Sequence, residues 1–234
     1  MKTDSHLGRN LGIAFLVVFA GSAVSGALSA SILTGTTTET LENVASNTTQ
    51  MRWSTMIDLC VTSVGIVVLA VLLHTALRKQ NPVLALVALG WWLAEAITLA
   101  VSTVGAFLLI PASEAYIEAG TSVSASQIAL GETLANFDRV TWEIHMLFYG
   151  LGALIWYSLM YQSRCVPRWL SGWGVLAVAV GLFSSVLFLA ADVDWFFLGF
   201  PTGLFEVVIG IWLIAKGLAA PKRPEPLQET STHS

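Results

Sequence analysis

Five ionisable side chains interrupt otherwise apolar stretches of this 234-residue sequence. They are Asp58, Glu95, Glu143, His145 and Glu206. A charged group inside a bilayer is costly, so such residues usually face the interior of a helical bundle and have a partner or a function. Arg52 and Arg139 lie near them in the sequence. These seven residues are the candidates for an intramembrane polar site.

Helical spacing indicates which polar residues accompany Glu95 and Glu206. Residues three or four positions apart share one face of a helix. Glu95 is aligned in this way with Thr98 and Ser102, and Glu206 is aligned with Thr202. Each carboxyl group is therefore expected to lie on a partly polar helix face.

The same spacing separates the two ionisable groups of the fourth apolar stretch. His145 shares a face with Thr141 and Tyr149. It is set about 200° around the helix from Glu143, so at most one of these two residues faces a shared cavity. Arg139 is four residues before Glu143 and can pair with it.

These alignments predict a polar pocket built from Glu95, Glu206 and either Glu143 or His145. A carboxyl group buried without a counter-charge favours its protonated form, so Glu95 can bind a proton. The pocket could bind a cation, relay protons or hold a small polar solute. The alternative is that these groups hydrogen-bond across helices and only fix the packing.

Common cofactor and catalytic motifs do not occur in the sequence. Haem would need paired axial ligands, whereas His74 and His145 fall near opposite ends of their spans. Retinal would need a lysine deep in a span, whereas Lys216 ends the last one. Neither G-x-x-x-x-G-K-[ST] nor H-E-x-x-H is present. We therefore predict no cofactor and no metal site, although Glu95, Glu206 and His145 could serve as ligands in a membrane hydrolase.

The elements that must position these residues are transmembrane helices. Hydrophobic residues make up 55% of the chain and charged residues 11%, against roughly 25% charged in soluble domains. A span needs about 20 mostly apolar residues, and this length predicts an all-α, polytopic six-helix bundle forming one domain over residues 1–218. The predicted spans are 11–33, 56–77, 83–110, 140–161, 174–191 and 202–218. The polar, proline-containing tail 219–234 is predicted to be disordered and cytoplasmic.

The basic residues predict the orientation in the membrane. Nine of the eleven Lys and Arg residues fall at the termini or in the connections after spans two and four. Basic residues mark the cytoplasmic side, so both termini are predicted to be cytoplasmic in a bacterial inner (plasma) membrane, and the polar pocket to open outward. No basic stripe suited to nucleic acid is present. A cleavable signal peptide is an alternative interpretation of span one.

Two longer segments on the outer side, 34–55 and 112–137, are predicted to be lids or packing segments over the outer face, with disorder as the alternative. Spans one and six carry small residues at helical spacing, including Gly21, Ser25 and Gly210. Such residues let helices approach closely. They serve packing within the bundle or the interface of a homo-oligomer.

The run from Leu147 to Gly174 resembles the signature of a bacterial family of multi-spanning membrane proteins known as domain of unknown function 4386. The matching steps are Phe148-Tyr149-Gly150, Tyr161-Gln162-Ser163 and Pro167-Arg168. The resemblance extends from Leu7 to Gly217. It includes Arg52, Asp58, the pair Glu95-Ala96, and Glu206.

The resemblance implies a six-helix inner-membrane protein without an established activity. This chain departs from the family where an arginine often precedes the span-three glutamate by one turn, because Trp92 stands there. Without that arginine, Glu95 must find another partner or stay protonated.

Three hypotheses about function follow. The first is a membrane protein that handles an ion or small solute in the polar pocket. The second is an enzyme embedded in the membrane that acts on a lipid or a quinone. The third is a structural or regulatory partner of another membrane protein. The lipid bilayer is the one partner that all three share.

Overall fold

The computed structural model describes residues 3–193 and 195–219. Within these residues the chain is helical and contains no strand. The α-helices are α1 (Thr3–Ala30), α2 (Thr37–Ser46), α3 (Thr48–Ile57), α4 (Val64–Leu77), α5 (Pro82–Ala119), α6 (Ala125–Ser163), α7 (Arg168–Ala191) and α8 (Phe200–Lys216). The tail that the sequence predicts to be disordered lies outside the described residues except for Ala219.

Six continuous helical segments are long and apolar enough to cross a membrane. Helices α3 and α4 form one of them, because a π-helical turn at Asp58–Ser63 joins them without a break. Helices α1, α5, α6, α7 and α8 are the others. The predicted all-α, six-span fold is therefore confirmed.

The spans form a closed bundle in which sequence neighbours pack together and α8 packs against α1. The α1–α8 contact is close: a Cβ on Gly12 would lie 2.5 Å from the backbone oxygen of Gly210, and one on Gly8 would lie 2.5 Å from the amide of Leu218. Small residues in spans one and six thus serve packing within the bundle. We call the end that holds Gly8 and Leu218 the terminal face and the opposite end the distal face.

Ordered helices cover the distal face. Helix α2 begins with a capping box, in which Thr36 accepts from the amide of Glu39 and the Glu39 carboxylate accepts from the amide of Thr36. Leu41 of α2 fills the space left by Gly131 of α6, where a Cβ would lie 2.9 Å from it. Helix α5 continues through Pro111 to Ala119. The two longer connecting segments are therefore folded parts of the structure.

Candidate functional site

Glu95 lies in the interior of the bundle. It belongs to the buried face of α5, with 3% of its surface exposed. Its Oε2 atom has no hydrogen-bond partner among the described residues. Leaving a buried polar atom unpaired costs about 1–3 kcal/mol. A hydrogen bond that fixes helix packing therefore does not explain why this carboxyl oxygen is buried.

Glu206 of α8 lies within electrostatic range of Glu95 and is hydrogen-bonded to α6. Its Oε1 accepts from the hydroxyl of Tyr149 over 2.8 Å. The hydroxyls of Tyr149 and Tyr157 are 3.4 Å apart. Since the single hydroxyl hydrogen of Tyr149 is directed to Glu206, Tyr157 donates to Tyr149. A chain of three polar groups thus runs from Tyr157 to Glu206 across the bundle.

Trp92 positions Tyr149. It lies one turn before Glu95, its Nε1 donates to the backbone oxygen of Tyr149 over 3.2 Å, and the two rings stack with centroids 6.0 Å apart. Gly152 permits this approach, because a Cβ there would lie 2.4 Å from the Trp92 ring. Trp92 therefore acts through packing and not through charge.

His145 links α6 to α5 at the backbone of Glu95. It is buried, and its Nδ1 lies 3.3 Å from the backbone oxygen of Glu95. Because a carbonyl oxygen only accepts, Nδ1 carries the hydrogen in this contact and Nε2 is left as an acceptor. Glu95, His145, Tyr149, Tyr157 and Glu206 together are called the central cluster.

Asp58 belongs to a separate group. Its Oδ2 accepts from Ser25 of α1 over 2.5 Å and its Oδ1 accepts from Thr62 over 3.3 Å. Ser25 also lies 3.1 Å from the hydroxyl of Ser54. Ser25, Ser54, Asp58 and Thr62 are called the π-turn cluster, because Asp58 begins the π-helical turn.

The remaining candidates lie outside both clusters. Arg139 contacts Asp192 of α7 over 3.7 Å and lies 4.5 Å from the ring centroid of Phe188. Arg52 is exposed. Glu143 is partly exposed, unlike the buried His145 on the same helix. Of the two, His145 is the residue that faces Glu95, and pairing of Arg139 with Glu143 stays a prediction.

The residues predicted from the sequence to form the site do not include Tyr149, Tyr157 or Trp92. A signal for the tyrosines exists, since His145, Tyr149 and Tyr157 are separated by multiples of four residues and so recur along one side of α6. Asp138 was also missed, although it lies within electrostatic range of Asp58.

Two open pockets lie near the ends of the bundle, and neither is lined by a candidate residue. The distal one has a volume of about 640 Å³ and is lined in part by Asn47, Gln50 and Trp53.

Among the described residues, no three His, Cys, Asp or Glu side chains are grouped as metal ligands would be. The central cluster is thus a group of interior carboxyl, hydroxyl and imidazole groups suited to exchanging protons or binding a small cation.

Of three comparisons with known proteins, one found a match. A search of curated proteins and a search of solved structures found no match. A family model described as a domain of unknown function matches residues 11–217, a range that reaches into all six spans and includes both clusters. The chain therefore belongs to the family Domain of unknown function (DUF4386).

Proposed function

We propose that this membrane protein handles a small cation, the proton first of all, at the carboxyl pair Glu95 and Glu206. The observation that carries the proposal is the buried Oε2 of Glu95, which has no hydrogen-bond partner among the described residues and lies within electrostatic range of a second carboxyl group. Two ionised carboxyl groups that are close together in a medium of low dielectric constant repel each other. A proton or another cation held between them relieves this repulsion and stabilises the pair.

The surrounding groups support movement of a proton to and from this pair. Tyr157, Tyr149 and Glu206 form a continuous hydrogen-bonded chain. His145 contacts the backbone of Glu95 through Nδ1, which leaves Nε2 as a hydrogen-bond acceptor. Intramembrane chains of carboxyl and imidazole groups are typical of proton relays. The central cluster offers these groups from three helices.

The hypothesis of a metal-dependent membrane enzyme has less support. It requires a group of ligands such as Glu95, Glu206 and His145, and no metal-binding group of three is formed among the described residues. The contacts of the central cluster instead connect one carboxyl group, that of Glu206, to the hydroxyl donor of Tyr149.

The orientation is part of the proposal. We infer that the terminal face is cytoplasmic in a bacterial inner membrane, because Arg78, Lys79, Arg164, Arg168 and Lys216 all lie at or next to helix ends on that face. A reporter enzyme that is active only in the cytoplasm, fused after Ser234, should then be active in cells.

Proton flux is the test of the proposed function. Purified protein is reconstituted into vesicles containing a pH-sensitive dye, and a potassium diffusion potential is applied. The wild-type protein should acidify or alkalinise the lumen according to the sign of the potential. E95Q and E206Q should abolish this flux, because an amide cannot take up the proton.

The matched control is E114Q, which changes an exposed glutamate on the same helix as Glu95 and should leave the flux unchanged. Infrared difference spectra of the same samples should lose a carboxyl band that changes with pH in E95Q but not in E114Q. A wild-type protein that gives neither flux nor such a band would overturn the proposal, as would an E95Q variant with normal flux.

A further inference from the structure

A pocket of about 430 Å³ opens at the terminal face, between the connection from α6 to α7 and the end of α8. Arg164, Cys165 and Arg168 line one side, and Trp212 and Ala219 line the other. The amide of Ala219 donates to the backbone oxygen of Cys165 over 3.0 Å, which fixes the two sides relative to each other. The pocket therefore lies at the end of the bundle opposite to the distal face.

Two guanidinium groups give this pocket a positive charge. Among the described residues, neither Arg164 nor Arg168 has a carboxylate within ion-pair distance. Arg168 lies over the ring of Tyr161, 5.1 Å from its centroid. This cation–π contact holds the guanidinium group against the ring. Arginine presents its N–H donors in a fork that matches the oxygens of a phosphate group.

The backbone at Arg164 indicates that its side chain has a role besides closing the helix. Arg164 caps α6 in the left-handed conformation with φ of 55°, and its amide donates to the backbone oxygen of Met160. Glycine is the residue that suits this position best, because a Cβ disfavours positive φ. An arginine here keeps a strained conformation and adds a second positive charge to the pocket.

Aromatic residues place the pocket at the depth of the lipid headgroups. Tyr161 and Trp169 are exposed near the ends of α6 and α7, and Trp212 packs within the last turns of α8. Tyrosine and tryptophan concentrate at the interface between the hydrocarbon and the headgroups. Basic pockets between spans at this level are suited to anionic lipid headgroups.

We propose that this pocket binds the phosphate group of an anionic phospholipid, with Arg164 and Arg168 as the ligands of the phosphate and Trp212 against the glycerol backbone. This site is separate from the central cluster and does not depend on the proposed cation function. A lipid bound here would join α6, α7 and α8 at the terminal face.

Native mass spectrometry of the full chain in detergent tests the proposal with defined lipids. Equal amounts of dioleoyl phosphatidylglycerol and dioleoyl phosphatidylcholine are added, and the bound lipid is counted. The wild-type protein should retain phosphatidylglycerol in preference. R164G and R168Q should each weaken this preference about fivefold, from a contribution of about 1 kcal/mol for each basic residue near a membrane surface.

The variant R164G separates binding from folding. Because glycine suits the positive φ at this position, R164G should unfold at the same temperature as the wild-type protein or at a higher one while losing lipid. R78Q is the control, since Arg78 is a basic residue of the same face that does not line the pocket. An equal loss of lipid in R78Q and R164G would mean that general charge attraction explains the preference, and would overturn the site.

Competition with inorganic phosphate distinguishes a lipid headgroup from a free phosphate. Inorganic phosphate at millimolar concentration should not displace phosphatidylglycerol, because the acyl chains hold the lipid in the bilayer or micelle. Complete displacement by phosphate, or equal retention of both lipids by the wild-type protein, would overturn the assignment to a phospholipid.

Discussion

The central cluster and the π-turn cluster both place a carboxyl group inside the same bundle, but only in the π-turn cluster are both oxygens of that carboxyl group hydrogen-bonded. Each carboxylate oxygen of Asp58 accepts from a neighbouring hydroxyl, that of Ser25 or that of Thr62. Oε2 of Glu95 is buried and has no hydrogen-bond partner among the described residues. An ionisable residue within a span is therefore not by itself a sign of function. The completeness of its hydrogen bonding is more informative.

The difference follows from which side chains the neighbouring helix presents. Helix α1 offers Ser25, a short hydroxyl side chain that reaches Asp58 because small residues bring α1 close to the π-helical turn. At Gly21, a Cβ would lie 2.9 Å from the hydroxyl of Thr62. Around Glu95, α6 presents His145, whose ring nitrogen contacts the backbone of Glu95. The π-turn cluster thus joins helices, whereas the central cluster leaves a carboxyl oxygen available for chemistry.

The largest expected effect tests whether packing holds the central cluster in place. In G152A the added methyl group would lie 2.4 Å from the Trp92 ring and force it away from Tyr149. We expect the free energy of unfolding to fall by about 3 kcal/mol, the upper part of the range for overpacked cores. Unfolding of the purified protein in detergent, followed by circular dichroism, measures it.

The control is G90A on α5, where the added methyl group meets no atom within 4 Å. Alanine is the better helix former, so G90A should be more stable by about 0.5–1 kcal/mol. If both variants change stability in the same direction, close packing of Trp92 on Gly152 does not organise the central cluster.

The second prediction compares the two carboxyl groups directly. D58A removes an acceptor from Ser25 and Thr62 and should lower the free energy of unfolding by about 2 kcal/mol, in the range for hydrogen bonds to charged groups. E95Q should change it by less than about 0.5 kcal/mol, because the Oε2 atom that it replaces has no partner to lose. The same unfolding experiment measures both variants.

Equal losses of stability in D58A and E95Q would remove the distinction between a structural and a functional carboxyl group. We expect D58A to be less stable than the wild-type protein, and E95Q to be as stable as the wild-type protein but without proton flux. The two results together distinguish a structural from a functional carboxyl group better than either result alone. A variant that is merely misfolded cannot produce the second result.

The fold could be predicted from the sequence because apolar length and charge scarcity are properties of segments. The six spans needed only the runs of apolar residues between polar connections. Glu95 and Glu206, which lie within electrostatic range of each other, could also be singled out, since both are acids within apolar helices. Single contacts between different helices could not be predicted from the sequence. An example is the side chain of Gln50 of α3, which donates to the backbone oxygen of Leu28.

The roles of the aromatic residues show the same limit. Trp92 was noted in the sequence only as a residue in the place of an arginine. Its role depends on Gly152, which is 60 residues away and removes the Cβ that would block the ring. The π-helical turn at Asp58–Ser63 could not be predicted either, because a one-residue change in hydrogen-bond register leaves no pattern in composition.

The smallest predicted effect concerns the link between the aromatic face of α6 and Glu206. Y149F removes the hydroxyl that donates to Glu206 Oε1 over 2.8 Å while keeping the ring that stacks on Trp92. We expect the free energy of unfolding to fall by about 1 kcal/mol, the usual net value of one hydrogen bond.

Y116F is the matched control, since Tyr116 is a partly buried tyrosine that packs against the distal core on α5 and should change stability less. Because E206A removes the acceptor and Y149F removes the donor of this hydrogen bond, the effect of E206A on stability should shrink by a similar amount in the Y149F background, and the double-mutant cycle measures this coupling. A coupling of zero would mean that the Tyr149–Glu206 contact is not maintained in the membrane protein, and the relay from Tyr157 would then have no connection to the carboxyl pair.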